Sequence, residues 1–224
     1  MIDPVLVPNI AIIDPTLMIG LPANITAETG IDALTHAIES HSSLHATQLT
    51  KAYSSDAVKR IFQSLPIAYE NGNDLSARAE MSIASFNAGV AFTRASIGYV
   101  HAISHQLGGF YHIPHGLANA VILPYIMEFS FNSALSSYAE LAYISGIANT
   151  TDTELSAANK LVEHVKKLNK QLNIQSGFSE LNAEHIPMLA KRAIKEAYCN
   201  YPVPKQMNIV QCEAILTKLL IHKG

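Results

Sequence analysis

The sequence predicts an all-α domain with a short extended lead-in. Three observations carry that expectation. Prolines 4, 8, 15 and 22 all fall in the first 25 residues and keep that stretch out of helix. From Thr26 onward the start signals, stop signals and apolar spacing are those of helices. Hydrophobic residues make up 49% of the 224 residues and charged residues 15%, the balance of a chain that buries a core.

The elements follow in order. Ile10 to Ile13 is a short apolar run between Pro8-Asn9 and Asp14-Pro15, fit for one buried strand or an extended entry segment. Helices are expected over Glu28 to Ser42 and Thr47 to Glu70, then a turn at Asn71-Gly72-Asn73-Asp74. Leu75 to about Ser96 is rich in Ala and Ser and suits a closely packed helix. A Gly-marked, His-rich stretch runs from Gly98 to Gly116, followed by a helix over Leu117 to Phe131 that Pro124 could bend. Thr151-x-x-Glu154 has the form of a capping box. It opens an amphipathic helix with Leu161, Val165, Leu168 and Leu172 on one side and Lys160, Glu163, Lys167 and Lys170 on another. Helices over Ala183 to Tyr198 and Ile209 to His222 close the chain, the last one started by Asn208-x-x-Gln211.

Composition excludes several functions. A net charge of −3 without a basic block gives nucleic acid or an anionic membrane no footprint. Leu117 to Met127 is too short to span a bilayer. Two cysteines without Cys-x-x-Cys imply no disulfide framework, and no signal peptide is legible at Met1, so a cytoplasmic protein is expected. Cys199 has no nearby His to lower its pKa and reads as a buried thiol.

The chemistry concentrates in histidine. Of ten histidines, His101, His105, His112 and His115 fall within fifteen residues. Imidazole is the commonest nitrogen ligand for transition metals, so a cluster points to a metal. Asp32 and His36 are four residues apart, as are His101 and His105, and on helices each pair shares one face. Ile31, Ala33, Leu34 and Ala37 flank the first pair, and a carboxylate among such neighbours is costly unless it meets a cation. The competing reading has Asp32 as a cap or ion-pair partner and His36 simply exposed. The His-Ala-Ile-Ser-His segment lacks the Glu of a zinc-protease motif, and neither a Gly-x-Ser-x-Gly elbow nor a phosphate-binding glycine loop occurs.

Residues 27 to 39, Ala-Glu-Thr-Gly-Ile-Asp-Ala-Leu-Thr-His-Ala-Ile-Glu, and residues 98 to 116, Gly-Tyr-Val-His-Ala-Ile-Ser-His-Gln-Leu-Gly-Gly-Phe-Tyr-His-Ile-Pro-His-Gly, together resemble the iron-containing (group III) alcohol dehydrogenases. The opening Val7-Pro8, Ile13-Asp14-Pro15 and Gly20-Leu21-Pro22 fit the same family, so the resemblance spans essentially the whole chain. It implies a helical, dehydroquinate synthase-like C-terminal half that holds Fe(II), or Zn(II), through Asp32, His36, His101 and His115. His105, which spacing alone favours as a ligand, is by the family pattern a proton-transfer residue beside the metal. His112 matches no ligand. Residues 1–25 would lead in from a cofactor domain and residues 26–224 would form the metal-binding domain. The NAD(P) clamp of the family, a glycine-rich turn in an N-terminal α/β half, has no counterpart in the sequence; Leu17 either would face the nicotinamide across the cleft or lies in a lead-in segment without cofactor contact. The implied reaction is hydride transfer between a small alcohol or aldehyde and NAD or NADP with the metal as Lewis acid. The chain by itself is expected to be inactive and, with an uncovered apolar face, to form a homo-oligomer. The alternative is a stand-alone helical metal-binding or interaction module without catalysis.

Overall fold

The computed structural model describes residue 5 and residues 7–221. Pro4, His222 and the extreme N-terminus read for a signal peptide lie outside the described residues. Nine α-helices are found there: α1 (Ala23–Ser42), α2 (Gln48–Glu70), α3 (Leu75–Ala95), α4 (Tyr99–Tyr111), α5 (His115–Ser130), α6 (Leu135–Ile144), α7 (Glu154–Gln171), α8 (Ile186–Ala197) and α9 (Ile209–Lys218). Among the described residues, the one β-type contact is an isolated parallel bridge between Phe178 and Leu220. The all-α class is therefore as expected.

The described lead-in is largely extended, with a 3-10 turn at Pro15–Met18 that Asp14 caps by accepting from Thr16. Ile10 to Ile13 forms no strand and is exposed throughout, so of the two expected forms it is the entry segment and not a buried strand. Helix α1 starts at Ala23, ahead of the expected Glu28, with Pro22 at its N-cap position and no side-chain cap there. Arg78, on α3, fastens the lead-in to the domain. Its buried guanidinium donates to Gly72 O, Thr26 Oγ1 and Leu21 O, tying the α2–α3 turn and the first turn of α1 to the entering chain.

Helix α1 is the central element. It packs against α2, α3 and α5, and its residues Ala27, Ile31, Leu34, Ala37 and Ile38 are buried. Helix α4 packs on α5 and α8, and α6 packs on α7. Thr47 starts α2 through a capping box with Thr50, Asp74 caps α3 at Ala77 N, and the expected Asn208–Gln211 pair forms a reciprocal box at α9. The expected cap at Thr151 is displaced. Thr153 caps α7 by accepting from Ser156 N, while Asp152 is held by Lys160 and Asn149 N in the preceding turn. The apolar stripe of α7 is buried as its spacing requires. The Gly98–Gly116 stretch resolves into α4 and the first turn of α5. His112 between them adopts a left-handed conformation, φ 58°, and closes α4. Cys199 is exposed, against expectation: it sits at φ 60° in the turn after α8, where the chain has left the core. Cys212, on α9, is the buried thiol.

Candidate metal centre

Three helices deliver the donor atoms. Asp32 and His36 lie one turn apart on α1, His101 is in the first turn of α4, and His115 opens α5. Gly116 makes the last approach possible: a Cβ there would lie 2.7 Å from Glu28 O, so only glycine lets α5 start against α1. One ligand atom from each of the four residues falls within a cluster whose members are all within 4.8 Å of one another. Asp32 Oδ1 stands 3.7 Å from His36 Nε2, 3.8 Å from His101 Nε2 and 3.5 Å from His115 Nε2.

The closest approach is between two imidazoles, His36 Nε2 and His101 Nε2 at 3.3 Å. His101 Nδ1 lies 2.6 Å from Glu39 Oε2. A carboxylate only accepts, so Nδ1 carries the ring proton and Nε2 presents a lone pair to the cluster. Burial, then the neighbouring His101, lower the pKa of His36 to about 4, despite Asp32. Burial also lowers His115, aided by His101 and His105 and opposed by Asp32. Both rings are thus neutral near pH 7, with lone pairs to offer. Three imidazole nitrogens and one carboxylate converging in this way suit a divalent cation. With bonds of about 2.1 Å, adjacent ligand atoms of such a cation sit about 3.0–3.4 Å apart, within a few tenths of an ångström of the closer spacings found.

The walls of the site come from residues that the sequence did not single out. Phe92, on α3, stacks on the His36 ring at 4.1 Å between centroids. Asn119 is fully buried one turn after His115. Its Nδ2 donates to Asp32 Oδ1 at 2.6 Å and lies 3.0 and 3.2 Å from Nε2 of His115 and His101, while its Oδ1 has no partner. The i,i+4 rule that pairs Asp32 with His36 pairs His115 with Asn119 equally well. Glu39 ends the first quoted motif and lies three residues past His36. Glu196, on α8, accepts from His105 Nδ1, Gln106 Nε2 and Tyr201 Oη, and no local pattern ties it to residues so far back in the chain.

His105 stands outside the donor set, with its ring stacked 5.4 Å from that of His115. The Glu196 hydrogen bond raises its pKa and outweighs burial. Leu17 is 83% exposed in the 3-10 turn of the lead-in. His112 is exposed at its helix end.

The profile of the Fe-containing alcohol dehydrogenase family, C-terminal part, matches residues 26–220. The chain belongs to this family of alcohol dehydrogenases. It is 36% identical over 221 residues to the NAD-dependent methanol dehydrogenase of Bacillus methanolicus, a match covering 98% of this chain and 58% of that enzyme. To the 1,3-propanediol dehydrogenase of Klebsiella pneumoniae it is 39% identical over 212 residues, covering 93% of this chain and 54% of the relative. Its fold superposes on the crystal structure of a 1,3-propanediol oxidoreductase with a TM-score of 0.88 at 37% identity, over 92% of this chain and 55% of that one. The chain thus spans a little over half the length of these relatives. No described helix is long and apolar enough to cross a membrane.

Proposed function

We propose that residues 26–224 are the metal-binding half of an NAD(P)-dependent alcohol dehydrogenase, with residues 1–25 leading in from a cofactor-binding half. The reaction class is reversible oxidation of a small alcohol to an aldehyde with nicotinamide as hydride acceptor. One observation carries the reading: the Nε2 atoms of His36 and His101 approach to 3.3 Å beside Asp32, a gathering of donor atoms that a cation relieves. Asp32, His36, His101 and His115 would hold Fe(II), which the family name favours, or Zn(II), which the donor set accepts as well. When bound, such an ion supplies Lewis-acid polarisation of an alcohol or carbonyl oxygen.

The chain's own residues have separate tasks. Phe92 covers one face of His36 and keeps water from it. His105 handles the substrate's hydroxyl proton. Its Nδ1–H is committed to Glu196, which leaves Nε2 as the atom that takes up or releases a proton. Leu17, solvent-facing in the lead-in, is the residue proposed to meet the nicotinamide. The 224 residues offer no glycine turn for a pyrophosphate, so the chain by itself is expected to bind metal without turning over alcohol.

Elemental analysis tests the ligands. One metal per chain is expected in the parent after incubation with Zn(II) and desalting, and far less in Asp32→Asn and His115→Ala. Parent-level metal in both variants sinks the assignment. A nicotinamide absorbance assay with short alcohols tests the division of labour: metal-dependent turnover by the 224-residue chain, lost in Asp32→Asn, would show that the cofactor is held by these residues after all.

A further inference from the structure

The N-terminus of α4 has no cap of its own. Gly98 occupies the cap position and has no side chain to offer, so the first amides of the helix need an acceptor from elsewhere. Glu39 of α1 supplies it. Its Oε2 accepts from Gly98 N and its Oε1 from Val100 N, each at 2.8 Å. The same Oε2 accepts from His101 Nδ1 at 2.6 Å. The carboxylate is buried, with Lys and Arg absent from its hydrogen bonds, so a helix N-terminus and one imidazole N–H are what balance its charge. Gly98 is part of the device, because a Cβ there would lie 2.7 Å from Glu39 Oε1.

We infer that Glu39 is the positioning residue of the metal centre: it locks His101 in the Nδ1–H tautomer and fixes its ring relative to α1, so that the Nε2 lone pair meets the donors on that helix. The inference rests on the proposed ligand set. Its geometric basis is that Glu39 and two of the ligands, Asp32 and His36, ride on one helix. A single carboxylate therefore sets the spacing of α4 against α1 and the aim of the one ligand α4 contributes. A cap with no other duty would need only the two amides. The third hydrogen bond, the shortest of the three, goes to the ligand ring.

Two measurements on the 224-residue chain test this. In long-range proton–nitrogen spectra of the metal-free parent, with His101 identified by its loss in His101→Gln, the ring should be a single Nδ1–H tautomer. An Nε2–H tautomer or an exchanging mixture would overturn the inference without any metal present. Calorimetric titration with Zn(II) alone should then show Glu39→Gln about 10–100-fold weaker than the parent, the usual cost of losing a carboxylate behind a ligating imidazole. Glu39→Asp keeps the charge and should recover part of the loss. Thr47→Ala, which removes the cap of α2, a helix that carries none of the four candidate ligands, should stay within about twofold of the parent. Parent-like affinity in Glu39→Gln, or an equal loss in Thr47→Ala, would reduce Glu39 to a helix cap. Failure of the ligand set reads differently, as unchanged affinity in Asp32→Asn; the tautomer then still decides the role of Glu39.

Discussion

His36 and His41 lie five residues apart on α1, and burial pushes both down to about 4. Their ring nitrogens have opposite surroundings. His41 is closed on both sides: Nε2–H donates to Glu140 Oε2 at 3.2 Å, and Nδ1 accepts from Ser54 Oγ at 2.9 Å. Lys51 Nζ at 2.6 Å completes the charge of Glu140. His36 is open: Nδ1 has no partner, and Nε2 faces another Nε2 and a carboxylate. A buried, neutral histidine is therefore no sign of a metal site by itself. The sign is a ring nitrogen that meets several other potential ligand atoms at once, here Nε2 of His101 and Oδ1 of Asp32.

Metal protection separates the two most sharply. Zn(II) at 100 times its Kd should stabilise a specific binder by about 2.7 kcal/mol against unfolding. The increment should be present in the parent and in His41→Gln, and absent in Asp32→Asn. Urea denaturation with and without Zn(II) measures it. An increment lost in His41→Gln would mean that the closed cluster also supports the ion.

The contrast was partly legible in the sequence. The helix periods, the cap at Asn208 and the i,i+4 pair Asp32–His36 are local, and local patterns survive into the fold. His115 is different. Spacing pairs His101 with His105, whereas the chain turns through His112 in a left-handed conformation and reapproaches α1 at Gly116, which no count of residues reveals. The family pattern pointed to His115, which the fold brings beside Asp32, while the reach of Glu196 to His105 across 91 positions left no trace in either motif. Cys199 misled for a related reason, since an apolar-looking thiol just past a helix end can leave the core with the turn. Glu39 lies inside the first motif, but its partners are amides at the start of another helix, which no local spacing reveals.

Acid should blur the same contrast by a predictable amount. The folded pKa of His41 is about 4, against about 6.5 unfolded, so between those values the unfolded chain binds more protons. The contribution is complete above pH 6.5 and is lost as pH falls toward 4. Between pH 7 and pH 5 the loss assigned to His41 is about 2 kcal/mol. Urea unfolding in EDTA should show this much less pH dependence in His41→Gln than in the parent. An identical slope in both would mean that His41 is protonated in the folded protein and paired with Glu140 as an ion.

The smallest effect concerns the histidine that lies between the two types. His105 has one ring nitrogen closed, by Glu196, and the other free, and it is more exposed than either histidine of α1. Its spacing from His101 is that of a ligand pair, yet its ring is aimed by α8 and not by the donors of α1. Its pKa is raised, the reverse of His36, because the Glu196 hydrogen bond outweighs burial. A ring that more readily holds a proton is a poorer metal ligand and a better proton carrier. His105→Ala should therefore weaken Zn(II) binding by less than about tenfold, or roughly 1.4 kcal/mol, the range of a residue beside the ligands. His101→Ala, which removes a lone pair from the set, should cost far more. Calorimetric titration of both variants in one buffer decides it. If His105→Ala falls to the level of His101→Ala, the helix-face pairing is the true ligand geometry and His115 is the bystander.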